Sequence, residues 1–340
     1  MKLDSSNPTG NGRWVVGVDV GGTKIAAGVV GANGQVQGRV KLPTDTSRPE
    51  MTLQAIAHAV KEALQGAGLE ASRVNGIGLG IPGKVDPATG VSLLAVNLGW
   101  QDVPVKSWLE NQLNLPCAIE NDVAAGALGE SLYGAGKGLE NLVYISLGTG
   151  IAARVIIEGR LYRGSSGLAG EIGHISFDPN GPVCRCGGTG CLEALAAGPA
   201  LAQQAEAALQ AGRSSLIREL PGYGPKLSSE LVFEAASQGD TLANEIITGA
   251  GSHLAYAIYM LAMSFNPQAI ILGGGLSQAG NPLIAAIETG LAQWIPRSPI
   301  FREVMRQTTL KTAGLTRDAG IVGAAAVFNA TGLNQTLNHK

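Results

Sequence analysis

Short apolar runs broken by glycine open the chain. Residues 14–20 and 25–30 have the β-branched, near-continuous apolar content of buried strands, and 35–42 reads as a third strand. Gly21-Gly22 joins the first pair and Ala32-Asn33-Gly34 the second, and both are hairpin signals. Over 49–65 the spacing changes: Leu53, Ile56, Ala57, Val60 and Leu64 recur on one helical face, and Gly66 and Gly68 mark its end. A further apolar strand at 74–81 closes at Pro82-Gly83, giving the order β-β-β-α-β. An apolar segment at 116–119 then leads into a helix over 123–132.

The order recurs. Strands are predicted at 141–146, 151–158 and 160–162, the first two joined by Gly148-Thr149-Gly150. Helices over 192–209, 228–237, 241–265, 282–294 and 319–330 dominate the rest of the chain, with strands at 268–272 and 310–313. Residues 211–226, with Gly, Ser and Pro, read as an exposed connection. Both halves thus begin with a glycine-turned hairpin, although no residue-level repeat accompanies the likeness.

Length and composition narrow the reading. At 340 residues the chain exceeds the ~250–300 over which one core usually grows, so two lobes are expected. Glycine is the outlier at 49 residues, about twice its usual share, and it falls in short runs that suit tight turns near a ligand. A net charge of −2 without a basic stripe argues against nucleic acid as a partner. No run of about 18 apolar residues suggests a membrane span. The polar residues 1–13 read as a disordered tail and lack the apolar core of a signal peptide, so a soluble cytoplasmic protein is expected.

The densest chemistry lies between Glu171 and Glu193. Cys184, Cys186 and Cys191 form a C-x-C-x4-C array, and His174 precedes the first by ten residues. One imidazole and three thiols are the donor set of a closed tetrahedral zinc site. Gly181, Gly187, Gly188 and Gly190 let the loop double back. Simple burial does not account for three thiols so close together, and a disulfide would leave one over. A structural zinc ion is the expectation, and Glu171 and Glu193 remain available for other work.

Three glycine segments carry a second theme. In Asp19-Val20-Gly21-Gly22-Thr23-Lys24 the backbone N–H groups can approach an anion, Thr23 adds a hydroxyl, and Asp19 could hold a Mg²⁺-bound water. A plain hairpin turn explains that segment equally well. Gly148-Thr149-Gly150 repeats the device, and a pair implies a bound phosphate chain. Gly273-Gly274-Gly275, between a strand and a helix, could pass beneath a flat ring or a phosphate, or be only a tight turn. Glu120-Asn121-Asp122 ends a strand and opens a helix, where an Asp is either a helix cap or a base facing a substrate hydroxyl.

Taken in order, Asp19–Lys24, Glu120-Asn121-Asp122, Gly148-Thr149-Gly150, Glu171-Ile172-Gly173-His174 and the cysteine array with Glu193 resemble the ROK family, specifically its zinc-containing glucokinase-like sugar kinases. The likeness runs from about Val15 to Phe328. It implies an actin-like ATPase (RNase H-like) α/β fold with two lobes around a central cleft. The smaller lobe would be 14–121 plus 314–340, rejoined by the last helix, and the larger 122–313, with the zinc loop at 174–191.

The same resemblance implies an ATP-dependent phosphotransferase acting on the 6-hydroxyl of glucose, with Asp122 as the base. Asn97, Asn121, Asp122, Glu171, His174 and Glu193 would bind the sugar. Asp19, Gly21, Gly22, Thr23, Lys24, Gly148, Thr149, Gly150, Gly273, Gly274 and Gly275 would hold Mg-ATP. Zinc would take His174, Cys184, Cys186 and Cys191, and a homodimer is the common assembly. Mannose, fructose, N-acetylglucosamine and N-acetylmannosamine are alternative acceptors, and polyphosphate is an alternative donor. The family's repressors carry a DNA-reading helix-turn-helix ahead of this fold, for which residues 1–13 leave no room. One departure stands out: where the family commonly continues with glycines after Gly150-Ile151, this chain has Ala152-Ala153-Arg154, expected to alter the nucleotide site.

Overall fold

The segments Trp14–Val20, Lys24–Val30 and Val74–Ile81 become sheet strands because each is buried along nearly its whole length. In the computed structural model, which describes residues 14–278 and 281–331, strands β1 (Trp14–Val20), β2 (Lys24–Val30) and β3 (Val36–Pro43) pair antiparallel. The tail expected over 1–13 lies outside the described residues. Helix α1 (Pro49–Gly66) buries the predicted Leu53, Ile56, Ala57, Val60 and Leu64 and leads to β4 (Val74–Ile81). A meander of β5 (Lys84–Asp86), β6 (Val91–Ala95) and β7 (Trp100–Val103) follows, then α2 (Val105–Leu113), β8 (Cys117–Asn121) and α3 (Asp122–Tyr133).

The first sheet has the order β3-β2-β1-β4-β8, with β1, β4 and β8 parallel. Register decides where the chemistry falls. Asp19 lies opposite Gly80, and Gly80 opposite Glu120, so Asp19 and Glu120–Asn121 sit at the carboxyl edge of parallel strands β1 and β8, which flank β4. That edge is where open α/β sheets bind ligands.

The last helix, Ala319–Ala330, packs on this sheet. Its backbone passes so close that Gly17 and Gly78 have no space for a Cβ, which would collide with the carbonyls of Ile321 and Ala324. On the helix's other flank, Gly323 meets Gly129 of α3. The buried Glu130 carboxylate reinforces this, accepting from Ala135 N–H (2.7 Å), Gly314 N–H (2.9 Å) and Leu315 N–H (2.8 Å).

Two units result, 1–141 with 154–169 and 314–340, and 142–153 with 170–313. The expected boundary at 121/122 therefore moves. Helix α3 stays with the first unit because Gly129 and Glu130 tie it to the returning segment. Segment 154–169 joins it through hydrogen bonds from Arg154 to Asn121 and from Arg163 to Glu120.

Strand β9 (Leu142–Leu147) opens the second unit and turns into β10 (Ile151–Ile157); β11 (Arg160–Tyr162), within segment 154–169, pairs back on β10. After the cysteine loop come α4 (Leu192–Ala196), α5 (Gly198–Gln210), α6 (Ser229–Ser237), α7 (Thr241–Phe265), β12 (Ala269–Gly273), α8 (Gly275–Gln278), α9 (Asn281–Trp294), α10 (Pro299–Gln307), β13 (Thr309–Thr312) and the last helix, α11. The second sheet has the order β11-β10-β9-β12-β13, and the chain passes between units within β10.

The single helix expected over 192–209 is two, because Ala197 is extended (φ −75°, ψ 161°) just ahead of Gly198-Pro199. Helix α7 is long and apolar enough to cross a membrane by length and composition. Here it is a core helix, with Leu254, Ala255 and Ile258 buried and Gly251 pressed against Ala286 of α9.

Candidate active site and metal centre

In the first unit, the Asp19–Lys24 turn closes with Gly21 N–H donating to Lys24 O (2.9 Å), and the Thr44 hydroxyl donates to Gly21 O (2.7 Å). Gly22 must be glycine because a Cβ there would stand 2.8 Å from the Asn97 carbonyl oxygen. The turn and Asn97, two of the predicted site segments, are therefore neighbours. The Asp19 carboxylate lies against Gly320 in the first turn of α11, where the helix dipole favours an anion. Burial raises its pKa, and Lys24 acts against that rise.

Asn121 and Asp122 form one hydrogen-bonded unit. The Asn121 side-chain oxygen caps α3, accepting from Val123 N–H (3.0 Å) and Ala124 N–H (3.2 Å). Its amide nitrogen donates to Gly83 O (2.9 Å) and to Asp122 Oδ1 (3.0 Å). Val123 N–H also donates to that Oδ1 (2.9 Å), leaving Asp122 Oδ2 without a partner among the described residues. The Asn121 amide is fully engaged within the protein.

The cap role falls to Asn121, the residue next to Asp122. Asp122 is open to solvent on one side and crowded by protein on the others. That desolvation, helped by Asp19, raises its carboxyl from 3.8 to about 6, against Val123 N–H and Arg154, which lower it.

In the second unit the Gly148-Thr149-Gly150 turn is pinned from two sides. Gly198 N–H donates to Gly148 O (2.9 Å), and Ile151 N–H donates to Glu193 Oε2 (3.1 Å). A Cβ on Gly150 would lie 2.6 Å from that same oxygen. Parallel pairing of β12 with β9 sets Gly273 opposite Ser146. Gly274 has φ +84° and packs where a Cβ would strike Leu147. The two predicted nucleotide segments therefore lie side by side at one sheet edge.

The four expected zinc ligands also converge. The His174 nitrogen and the sulfurs of Cys184, Cys186 and Cys191 all lie within 4.8 Å of one another. Cys184 Sγ is 3.8 Å from His174 Nδ1, and Cys186 Sγ is 3.6 Å from Cys191 Sγ. Thiolates at ~2.3 Å around one tetrahedral ion would stand about 3.8 Å apart, so the donor set and its clustering suit a zinc ion. Such an ion would fix the loop and the imidazole orientation, with Nδ1 toward the sulfurs and Nε2 directed away from them. Bridges between Ser176 and Cys191 and between Val183 and Thr189 shape the knot, and Gly187 and Gly190 take positive φ (88° and 63°).

Two arginines belong to the Glu120–Asp122 segment's surroundings: Arg163 was not read from the sequence, and Arg154 was read only as a departure beside the nucleotide turn. Arg154, expected near the phosphates, is instead buried and donates to Asn121 Oδ1 (3.1 Å) and Ala169 O (3.2 Å). Arg163 grips Glu120 Oε2 through Nε (2.8 Å) and an Nη (2.7 Å). A charged residue in the otherwise apolar run of β10 was the available signal.

Comparison with known proteins shows the family. Residues 15–331 match the ROK family, and the chain belongs to it. A glucokinase of Halalkalibacterium halodurans is 37% identical, over 92% of this chain and 93% of its own length. The crystal structure of a ROK family glucokinase from Streptomyces griseus in complex with glucose and AMPPNP is 34% identical, with a TM-score of 0.75 over 92% of this chain and 98% of that one. A ROK family transcriptional regulator, a homologue of the E. coli MLC protein, is 28% identical, with a TM-score of 0.85 over 97% of this chain and 81% of its own. The actin-like ATPase fold is thereby established.

Proposed function

We propose that this protein transfers the γ-phosphoryl group of ATP to the 6-hydroxyl of glucose, with Asp122 as general base. The class is that of an ATP-dependent sugar kinase of the ROK family, and the glucokinases among its relatives support glucose as acceptor.

The observation that carries the proposal is the state of Asp122. One carboxylate oxygen is held by two donors, the other is free, and the carboxyl titrates at about 6. It is ionised at neutral pH yet basic enough to accept a proton as the hydroxyl attacks. Phosphoryl transfer otherwise needs positioning and charge neutralisation more than covalent help from the protein.

This chain supplies the remaining parts. The Asp19–Lys24 and Gly148–Gly150 turns offer backbone N–H groups to the phosphates, and the Gly273–Gly275 turn accommodates the nucleotide. Magnesium arriving with ATP would neutralise charge on the phosphates, and Asp19, a carboxylate at the end of β1, has the oxygen chemistry to receive it. Asn97, Asn121, Glu171, His174 and Glu193 are assigned to the sugar hydroxyls. Each such polar group penalises an analogue lacking its matching hydroxyl.

The test is a coupled ADP-release assay with Mg-ATP over glucose, mannose, fructose and the N-acetylhexosamines, run beside Asp122→Ala. Preferred turnover of glucose that collapses by at least ~10²-fold in the variant is expected. Turnover undiminished in Asp122→Ala removes the base assignment. Zinc-loaded protein inactive on every sugar removes the kinase reading.

A further inference from the structure

The strand leaving the second glycine turn places a charged side chain where an apolar one would fill the space. Arg154 of β10 is only 5% exposed. Burying a guanidinium is costly unless its donors are used, and here they are engaged. One Nη donates to Ala169 O (3.2 Å) and the other to Asn121 Oδ1 (3.1 Å).

The second bond determines which way the Asn121 amide faces. Its oxygen sees three donors: Val123 N–H, Ala124 N–H and Arg154. Its nitrogen sees two acceptors, Gly83 O and Asp122 Oδ1. A flipped amide would set its N–H groups against an arginine and its oxygen against a carboxylate. Only one orientation survives, and it is the one that ties Asp122 Oδ1 and leaves Oδ2 free.

The neighbouring residue is held similarly. Glu120 accepts from Arg163 on Oε2 and from Asn121 N–H on Oε1 (3.0 Å). Two arginines nine positions apart thus clamp the three residues that end in Asp122.

We propose that Arg154 is a positioning residue for phosphoryl transfer, fixing the base Asp122 through the Asn121 amide. The proposal rests on Asp122 being the base. It also gives the departure Ala152-Ala153-Arg154 a role at the acceptor side of the reaction rather than at the nucleotide. Among the charged groups facing Asp122, Asp19 of β1 raises its pKa and Arg154 lowers it, while Glu120 of β8 is engaged by Arg163.

The experiment compares Arg154→Met, Arg154→Lys and Asp122→Ala with the parent enzyme. It reads kcat, sugar KM, the pH profile of kcat/KM, zinc content and Tm. Arg154→Met is expected to lower kcat about 10- to 100-fold, the scale of a misplaced reacting group, while sugar KM changes less than about threefold. Its acid limb should move to higher pH, because a positive charge near the carboxylate is gone. Arg154→Lys, which keeps the charge but loses the two-point geometry, should restore the limb more than the rate.

Wild-type kcat and pH profile in Arg154→Met, beside an inactive Asp122→Ala, overturn the proposal and leave the base assignment standing. Full turnover in Asp122→Ala overturns both. Where Arg154→Met folds poorly, Arg154→Lys decides. A kcat loss at parental Tm and zinc content supports positioning, and a loss only in proportion to the folded fraction refutes it.

Discussion

Asp122→Asn should inactivate the protein and stabilise it. Burial lifts the Asp122 carboxyl from its ordinary 3.8 to about 6, so the fold disfavours the very charge that the reaction uses. A rise of that size corresponds to ~3 kcal/mol against the ionised form at neutral pH in a dry site. The side chain is open to solvent on one side, so screening reduces this to about 1 kcal/mol.

The sign is set by proton binding. Between its unfolded and folded pKa values the group binds more protons in the folded state, so stability falls as pH rises from about 4 to about 6. Asparagine carries no charge but keeps an oxygen for Val123 N–H and for the Asn121 amide.

Urea unfolding of zinc-loaded protein should therefore show Asp122→Asn ahead by about 1 kcal/mol at pH 7 and by about half as much at pH 5. A variant less stable than its parent at pH 7 would refute the reasoning. So would an advantage that grows toward acid.

Three further outcomes are expected. The parent's kcat/KM should fall about tenfold per unit below pH 6, since the base works only when deprotonated; a profile flat to pH 5 excludes Asp122 as that base. Metal analysis should find one zinc per chain, and chelation or Cys186→Ser should lower Tm by about 5 °C or more; a metal-free protein of unchanged Tm would contradict a structural ion. Gly150→Ala should push the Glu193 carboxylate off Ile151 N–H and cut kcat/KM about 10- to 100-fold with Tm nearly unchanged, and parental kinetics would show that the turn tolerates the methyl.

The strands and helices with long periodic patterns were legible in the sequence. Trp14–Val20, Val74–Ile81, Thr241–Phe265 and Ala319–Ala330 fall where their apolar spacing put them. The meander over 84–103, helix α2 and helix α10 were not foreseen, because elements this short have too few residues to show a period. The zinc knot was legible for a different reason. Its donors are close in sequence and of one chemical type, so spacing alone constrains their geometry.

The acceptor side of the site could not be read in this way. Asp122 was visible as an acid at a strand end, but its raised pKa comes from the protein that crowds it and from the charge of Asp19, more than a hundred residues earlier. Arg154 stood in the sequence as an oddity beside a phosphate turn, and only folding turned it toward Asn121, 33 residues away. Local pattern reports what neighbouring residues must do together, since their geometry follows from backbone period and turn chemistry. Desolvation and hydrogen-bond direction depend on which distant atoms come to surround a group, and tertiary packing alone decides that.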